Sequence, residues 1–171
     1  MSLEDQLVEI LSSVPDWLAT MIIGALPIAE LRGAIPVAIG MYGMAPEYAY
    51  FFAVLGNMIP VIPLLLFLEP VSSYLRRFRV FDMFFSWLFE RTRRNHTEKF
   101  EKYGTMALTL FVAIPLPVTG AWTGCVAAFV FGIEFKHALP AILVGVMIAG
   151  LIMTFVTVTG VSLIDLLSGN V

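Results

Sequence analysis

The stretch Ala25-Leu-Pro-Ile-Ala-Glu-Leu-Arg-Gly-Ala-Ile-Pro36 places a carboxylate, Glu30, and a guanidinium, Arg32, inside the apolar run of residues 17–42. Three residues that interrupt helices bracket the two charges: Pro27, Gly33 and Pro36. Charged side chains are costly at membrane depth, so an ionisable residue within an apolar run indicates a functional site. The stretch therefore predicts a charged, helix-breaking bend held inside a bilayer.

The composition is that of an integral membrane protein. The 171 residues are 59% hydrophobic and 13% charged, and their mean hydropathy is +0.89. Soluble domains average about 45–50% apolar and about 25% charged residues. Eight of the ten Lys and Arg residues lie between Arg76 and Lys102, and the first thirty residues contain no basic side chain. Such a start lacks the positive n-region of a secretory signal.

Several function classes have no support in the sequence. The single cysteine, Cys125, excludes an internal disulfide and a thiolate metal cluster. No glycine-rich phosphate loop and no nucleophile elbow is present. We therefore expect no enzyme activity, no cofactor and no metal. The basic residues are interleaved with Phe and Trp on a membrane-facing segment, which argues against nucleic acid as a partner.

Residues 15–68 form the first of two predicted repeats. The run 17–42 exceeds the roughly 20 residues that a membrane-spanning helix needs, but the prolines and the glycine interrupt it. Its arms, about 17–26 and 34–42, are each too short to cross. Two short arms around a polar tip predict a re-entrant hairpin, because irregular backbone is tolerated at membrane depth only inside protein or beside a water-filled cavity.

A full crossing over residues 48–68 completes this repeat. Pro60 and Pro63 predict a kink in it. Asn57 lies near its middle, where we expect a helix–helix hydrogen bond worth roughly 0.6 kcal/mol. Small residues every four positions predict close helix packing on both crossings: Ala49, Ala53 and Asn57 on this one, and Ala141, Gly145 and Ala149 on the last.

Two segments outside the repeats are predicted to lie in the membrane interface. Residues 1–14 carry Leu and Val on one stripe and acidic residues off it, which is typical of an amphipathic helix. Residues 69–103 mix eight basic side chains with Phe and Trp, which predicts a second amphipathic helix in the interface plane. By the positive-inside rule this linker is cytoplasmic.

Residues 104–168 form the second predicted repeat. Two apolar arms flank the segment Pro115-Leu-Pro-Val-Thr-Gly-Ala-Trp-Thr-Gly124, in which the expected hairpin breaks are Pro115, Pro117 and Gly124. A polar turn over 132–137 then leads to an uncharged crossing over 138–164.

The two repeats superpose at an offset of about 88 residues, which places Leu26-Pro27 on Ile114-Pro115 and Asn57 on Gly145. Interrupted hydrophobic segments in matching positions are typical of inverted repeats. The predicted fold is therefore an all-α integral membrane protein with one domain, residues 1–171, which passes several times through the plasma membrane. It contains two re-entrant hairpins, two transmembrane helices and an amphipathic interfacial linker helix.

The two hairpin tips are predicted to meet near the bilayer midplane. The returning arms begin at Gly33 and Gly120, and a helix N-terminus presents free amides and roughly half a positive charge. With Arg32 and the hydroxyls of Thr119 and Thr123, these ends would form an anion site. Arginine suits phosphate because its fork is bidentate.

Two further side chains complete this predicted site. Glu30 is the natural titratable group, because its protonation would respond to the substrate or to a proton gradient. Trp122 would supply an apolar wall or a gate. The structural alternatives are that Glu30 and Arg32 only neutralise each other at a buried bend, that the prolines only shape a loop and that Trp122 only packs.

At Glu30-Leu-Arg-Gly-Ala-Ile-Pro36 and at the 115–124 segment, the sequence resembles the small multidrug export protein family over nearly the whole chain. That family is similar to the DedA/VTT membrane proteins, which resemble transporters with opposed re-entrant hairpins and are associated with lipid flipping, including undecaprenyl phosphate recycling, and with lipid scrambling. The resemblance implies that Glu30 matches their acidic residue and Arg32 their essential arginine. DedA proteins usually carry a further arginine at the second tip, where this chain has Val118-Thr119-Gly120.

The leading hypothesis is a secondary transporter or flippase, coupled to protons or ions, for an anionic substrate such as a lipid phosphate. One alternative is export of cations or drugs through Glu30, and another is a membrane scaffold or scramblase in which the charge pair is structural. The expected partners are membrane lipids, the anionic lipid or small-molecule substrate and further copies of the chain, because about two crossings leave much apolar surface to cover.

The predicted topology places Val171 outside the cell. A re-entrant hairpin crosses nothing, so one crossing separates the cytoplasmic linker from the C-terminus. A reporter of membrane sidedness fused after Val171, with a second one in the linker, should report opposite sides. Reporters on the same side would contradict the symmetric re-entrant fold.

Overall fold

The computed structural model describes residues 14–75, 98–116 and 119–168. Every regular element within these ranges is an α-helix: α1 (Asp16–Ala25), α2 (Glu30–Gly40), α3 (Pro46–Met58), α4 (Val61–Leu75), α5 (Glu98–Ala113), α6 (Ala121–Val130) and α7 (Phe135–Ser168). Two stretches of this described part are long and apolar enough to cross a membrane, Pro46–Leu68 and Phe135–Ser162. The all-helical class and the two candidate crossings are thus confirmed for these residues. The predicted helix over 1–14 lies outside the described residues, apart from Val14.

Two helical hairpins are present, because α1 packs against α2 and α5 packs against α6. Helix α1 has 10 residues and α2 has 11. At 1.5 Å per residue each is about 15 Å long, half of the roughly 30 Å hydrocarbon core. Neither helix of the first hairpin is therefore long enough to cross. The re-entrant placement of the hairpins stays a prediction.

The first hairpin bends earlier than predicted. Its tip is formed by residues 26–29, which include Pro27, and α2 already begins at Glu30 rather than at Gly33. Pro36 lies inside α2, so the prediction that it breaks the hairpin is wrong. A proline removes one hydrogen bond, to the residue four positions earlier, and packed neighbours let an apolar helix tolerate this loss.

The second hairpin matches its prediction better. Pro115 follows α5, and α6 begins at Ala121 directly after Gly120, as expected. Pro117 lies outside the described residues. Gly124 is not a break, because it lies within α6. A Cβ added there would lie 2.6 Å from the Val112 side chain, so this glycine allows α5 and α6 to approach closely.

The first candidate crossing is interrupted at the position where Pro60 predicted a kink. Helix α3 ends at Met58 and α4 begins at Val61, so Ile59 and Pro60 form a turn between them. Pro63 lies in the first turn of α4. N–H groups of a first turn have no acceptor within their own helix, so the N–H that proline lacks costs no helical hydrogen bond there.

Several helices extend beyond the limits of the apolar segments predicted from the sequence. Residues 69–75 continue α4 and residues 98–103 belong to α5, so the ends of the linker are continuous with the neighbouring helices. Residues 76–97 lie outside the described residues. Helix α7 begins at Phe135, inside the predicted 132–137 turn, and extends to Ser168. A hydropathy window detects where a helix is apolar, and polar helical ends escape it.

The start of α7 shows why the turn is shorter. The Glu134 carbonyl accepts the N–H groups of His137 at 2.9 Å and Ala138 at 2.8 Å, which closes the first helical turn. The Lys136 ammonium lies 2.8 Å from the Glu134 carboxylate, and this hydrogen bond, with the positive charge, lowers the pKa of Glu134. Lys136 and His137 are therefore helical residues.

The described chain divides into two compact units. Among the described residues, unit 1 comprises 14–57 and 150–168, and unit 2 comprises 58–75, 98–116 and 119–149. Each unit contains one hairpin and parts of both crossings. This division differs from the predicted repeats 15–68 and 104–168, whose status as repeats stays a prediction.

Small residues bring helices together within each unit. A Cβ added to Gly56 of α3 would lie 2.2 Å from the carbonyl oxygen of Met21 in α1. A Cβ added to Gly145 of α7 would lie 2.9 Å from the carbonyl oxygen of Thr109 in α5. All six residues of the predicted small-residue ridges are buried, so the predicted close packing is confirmed.

The helix contacts of the two units recur at the offset found in the sequence. In unit 1 a Cβ on Gly24 would lie 3.4 Å from the Asn57 nitrogen, and in unit 2 a Cβ on Gly145 would lie 2.7 Å from the Val112 Cβ. Gly24 corresponds to Val112 and Asn57 to Gly145 at an offset of 88 residues. The same pair of positions is therefore in contact in both units.

Substitution of these glycines should destabilise the protein. Gly56→Ala and Gly145→Ala force packed helices apart, and we expect each to lower the free energy of unfolding by about 1–3 kcal/mol. Gly160→Ala is the matched control, because nothing lies within 4 Å of a Cβ at that helical position. Denaturant titration in detergent micelles measures the three variants. Equal stability of Gly56→Ala and Gly160→Ala would refute the packing described above.

Candidate functional site

Glu30 occupies an unusual backbone conformation at the start of α2. Its φ is +46°, in the left-handed region, which costs a residue with a Cβ roughly 1–2 kcal/mol. The residue is nevertheless 4% exposed. Strain of this kind persists only where the surroundings impose it, and it clusters at functional sites. Glu30 is therefore the first candidate for a functional residue.

Arg32 lies beside this carboxylate in the first turn of α2. The Arg32 Nη2 and Glu30 Oε2 atoms are 4.0 Å apart, and the two side chains are 23% and 6% exposed respectively. A bidentate arginine–carboxylate pair would have contacts of about 2.7–2.9 Å, so this contact is a charge interaction. The carboxylate is the inner member of the pair, and the guanidinium is the more accessible one.

Gly33 follows this pair within α2 rather than starting the helix. A Cβ added to Gly33 would lie 2.9 Å from the Ala29 Cβ and 3.6 Å from the Ile23 side chain. Because Gly33 has no side chain, α2 can therefore pack closely against α1 and against the hairpin tip. Its predicted role at a helix N-terminus is wrong, because that end lies three residues earlier.

Three polar side chains are buried among the described residues, and all belong to unit 1: Thr20, Glu30 and Asn57. The Thr20 hydroxyl donates to the Asp16 carbonyl at 2.7 Å. The Asn57 Oδ1 is buried and accepts no hydrogen bond within the described part of the chain. The helix–helix hydrogen bond expected of Asn57 is therefore not made by this atom.

The second tip is organised by its own backbone. Gly120 precedes α6 with φ 155° and ψ −168°, a conformation that is essentially restricted to glycine. The Gly124 N–H donates to the Gly120 carbonyl at 2.8 Å, which is the first helical hydrogen bond of α6. The Thr123 hydroxyl donates to the same carbonyl at 3.3 Å. The amides of the first turn thus lie where the sequence predicted.

Thr119 is engaged within its own loop. Its hydroxyl accepts the Leu116 N–H at 3.0 Å and donates to the Ile114 carbonyl, with the Leu116 carbonyl as a second acceptor at 3.2 Å. These contacts hold the chain between α5 and α6. They give Thr119 a loop-closing role beside the substrate contact predicted for it.

Trp122 lines a cavity of about 360 Å³ in unit 2. The other lining residues are apolar and come from the turn after α3 and from α4: Pro60, Pro63, Leu64, Phe67 and Leu68. This cavity contains no other residue of the predicted anion site, so the role of Trp122 as a wall or gate of that site stays a prediction.

Sequence reasoning missed a second cavity, of about 490 Å³, at the start of α1 and α3. It combines a carboxylate with aromatic rings, and it is lined by Pro15, Asp16, Trp17, Met44, Ala45, Tyr48 and Phe52. The Trp17 and Phe52 rings lie 5.8 Å apart. The available signal was the pair of aromatic residues, Trp17 and Tyr48, at the start of two apolar runs.

The structure groups the predicted site residues by hairpin. Glu30, Arg32 and Gly33 lie together in unit 1, whereas the second-tip residues lie in unit 2: Thr119, Gly120, Trp122 and Thr123. The meeting of the two tips stays a prediction.

The described residues contain two apolar helical stretches and a short-armed hairpin. A charge pair with a buried carboxylate lies at the tip of that hairpin. Together these features indicate a small helical membrane protein. The family model described as "Putative small multi-drug export protein" matches residues 30–152. The match covers more than half of the chain, so the chain belongs to this family. No curated protein and no solved structure matches it.

Removal of the Thr119 hydroxyl should loosen the second tip. Thr119→Val keeps the side-chain shape and abolishes the three loop contacts, so we expect a loss of about 1 kcal/mol and faster amide hydrogen exchange over 114–120. Thr119→Ser retains the hydroxyl and is the control. Unchanged exchange in Thr119→Val would show that the hydroxyl does not hold the loop.

Proposed function

We propose that this export-family protein is a secondary transporter of the flippase type, coupled to protons or ions, for an anionic substrate such as a lipid phosphate. The observation that supports it most is the strained, buried Glu30 carboxylate 4.0 Å from Arg32 at the tip of the first hairpin. The left-handed φ adds backbone strain at this residue, and such strain is frequent at functional sites.

Arg32 is the proposed anion-binding residue. Its side chain is 23% exposed, so an anionic group has access to it. The guanidinium presents several N–H donors in a fork that matches phosphate. It also lies in the first turn of α2, whose N-terminal end favours negative charge.

Glu30 is the proposed coupling residue. The ionised carboxylate competes with the substrate for Arg32, and two unit charges 4 Å apart attract by about 4 kcal/mol at an effective dielectric constant of 20, before screening. Protonation of Glu30 removes this competition and releases the guanidinium for the anion. Substrate binding and proton binding then favour each other.

The finer features of the fold belong to the same proposal. We propose that the protein is related to the DedA/VTT proteins and that its hairpins are re-entrant and form an inverted repeat. We also propose that it lies in the plasma membrane with its linker in the cytoplasm. It assembles as a homo-oligomer and has no enzyme activity. The many exposed apolar side chains, such as Phe155 at 73%, suit contact with lipid and with further copies of the chain.

Export of cationic drugs is the second candidate function. The family description favours it, and so does the cavity that combines Asp16 with Trp17 and Tyr48. Aromatic faces and a carboxylate attract organic cations. In this mechanism Glu30 binds the cation or a proton, and Arg32 takes no part in substrate binding. A third reading is a scaffold or scramblase in which the charge pair is structural.

Reconstitution into liposomes tests these functions. We expect Arg32→Ala to lower the flux of an anionic lipid at least tenfold, since a charge-assisted contact is worth about 1.5–3 kcal/mol. Glu30→Gln should abolish the response of flux to a proton gradient. Glu47→Gln, an exposed carboxylate at the start of α3, is the matched control and should behave as the wild type.

Two other results would support the alternative functions instead. Flux of an organic cation that neither lipid phosphate nor Arg32→Ala inhibits would establish the drug exporter. Normal flux in both variants together with impaired folding would establish a structural charge pair, and the proposal would be wrong.

A further inference from the structure

Helices α1 and α3 run in the same direction and end together. The Trp17 ring at the start of α1 contacts the Phe52 ring in the middle of α3. Further along, Met21 backbone atoms meet Gly56. At the end of α1, Gly24 meets the backbone of Asn57. The last turns of both helices, at Gly24 and Asn57, therefore lie side by side in unit 1.

These two helix ends give the region a negative potential. A helix C-terminus carries roughly half a negative charge on its last carbonyl groups. Neither helix has a basic residue in its last turn. In addition, position 60 is proline, so the Gly56 carbonyl lacks the N–H that a continuing helix would supply.

An unpartnered buried oxygen lies at this location. The Asn57 side chain is 1% exposed, and its Oδ1 accepts no hydrogen bond from the described residues. Such an atom costs about 1–3 kcal/mol unless something binds to it. Asn57 is the penultimate residue of α3, on the face that packs against α1.

The second unit retains the helix end that corresponds to Ala25, at Ala113 of α5, but it lacks the features that α3 supplies. Gly145 corresponds to Asn57 and Ile148 to Pro60, and α7 continues through both without a break. Close helix packing alone therefore needs neither the amide nor the proline. This difference indicates that Asn57 serves a ligand and not the fold.

We propose that a monovalent cation binds at the joint C-terminal ends of α1 and α3, with Asn57 Oδ1 as one ligand. Helix C-terminal ends and interrupted backbone carbonyls are the ligands that membrane proteins use for sodium. As the coupling ion this cation rests on the transport function proposed above, whereas its binding does not.

Thermal unfolding of the detergent-solubilised full chain tests the site without any transport assay. The probes are sodium, potassium and choline chlorides at equal ionic strength. We expect one of the two metal cations to raise the unfolding temperature above that in choline in a concentration-dependent way, because a ligand that binds only the native state stabilises it.

Asn57→Ala should abolish this response, because it removes the proposed ligand. In choline this variant should unfold at or above the wild-type temperature, because it also removes an unsatisfied buried oxygen. Asn57→Asp retains the oxygen and should keep the response, which guards against a folding defect in the alanine variant. Thr154→Ala is the control, because that hydroxyl is already bonded to the Gly150 carbonyl at 2.8 Å. It should respond to cations as the wild type does.

Two results would overturn the proposal. Identical unfolding temperatures of the wild type in all three salts would mean that a neutral molecule such as water satisfies Asn57. A cation response that persists in Asn57→Ala would place the cation elsewhere. A cation response that Asn57→Ala abolishes would support the site even where no lipid flux is found, so the two proposals fail separately.

Discussion

Burial of the Glu30 carboxylate is the constraint on which the first hairpin depends. A carboxylate removed from water costs several kcal/mol unless charge and hydrogen bonds compensate for it. Arg32 compensates by its positive charge at 4.0 Å, and the N-terminal end of α2 compensates by its dipole. Arg32 would be unfavourable at that helix end by itself, so each charge makes the other tolerable. The bend at residues 26–29 places both charges in one helical turn.

Close packing of small residues gives this charge pair its surroundings. Lipid tails are as apolar as leucine, so helices in a membrane associate by van der Waals contact rather than by escape from water. Gly24 and Gly56 let the backbones of α1 and α3 touch, and Gly145 does the same for α5 and α7. Rigid helix pairs of this kind can impose a left-handed φ on Glu30, because a looser arrangement would let the residue relax.

The features that the sequence predicted correctly depend on local chemistry. The length of the apolar runs predicted the two candidate crossings. Pro60 predicted the interruption between α3 and α4, and Gly120 predicted the start of α6. Pro36 and Gly124 were misread because tertiary contacts decide whether a weak helix former ends a helix. The φ of Glu30 and the missing partner of Asn57 have no local signal, since both arise where separate helices meet. The relation between the two tips was likewise a prediction from the repeat alone.

The two halves of the proposed repeat differ in the polar residues at corresponding positions, and this difference matters for the proposed transport function. At the common offset, Glu30 corresponds to Val118, Arg32 to Gly120 and Asn57 to Gly145. In an inverted repeat of two identical halves, the inward-open and outward-open states would have equal free energy. Under the proposed function, a charge pair present in only one half would remove this degeneracy, because a proton, cation or anion bound there would interact differently with the two states. A ligand shifts such an equilibrium only by its differential affinity, so under the proposed function a single charged hairpin would be sufficient to couple ligand binding to the direction of opening.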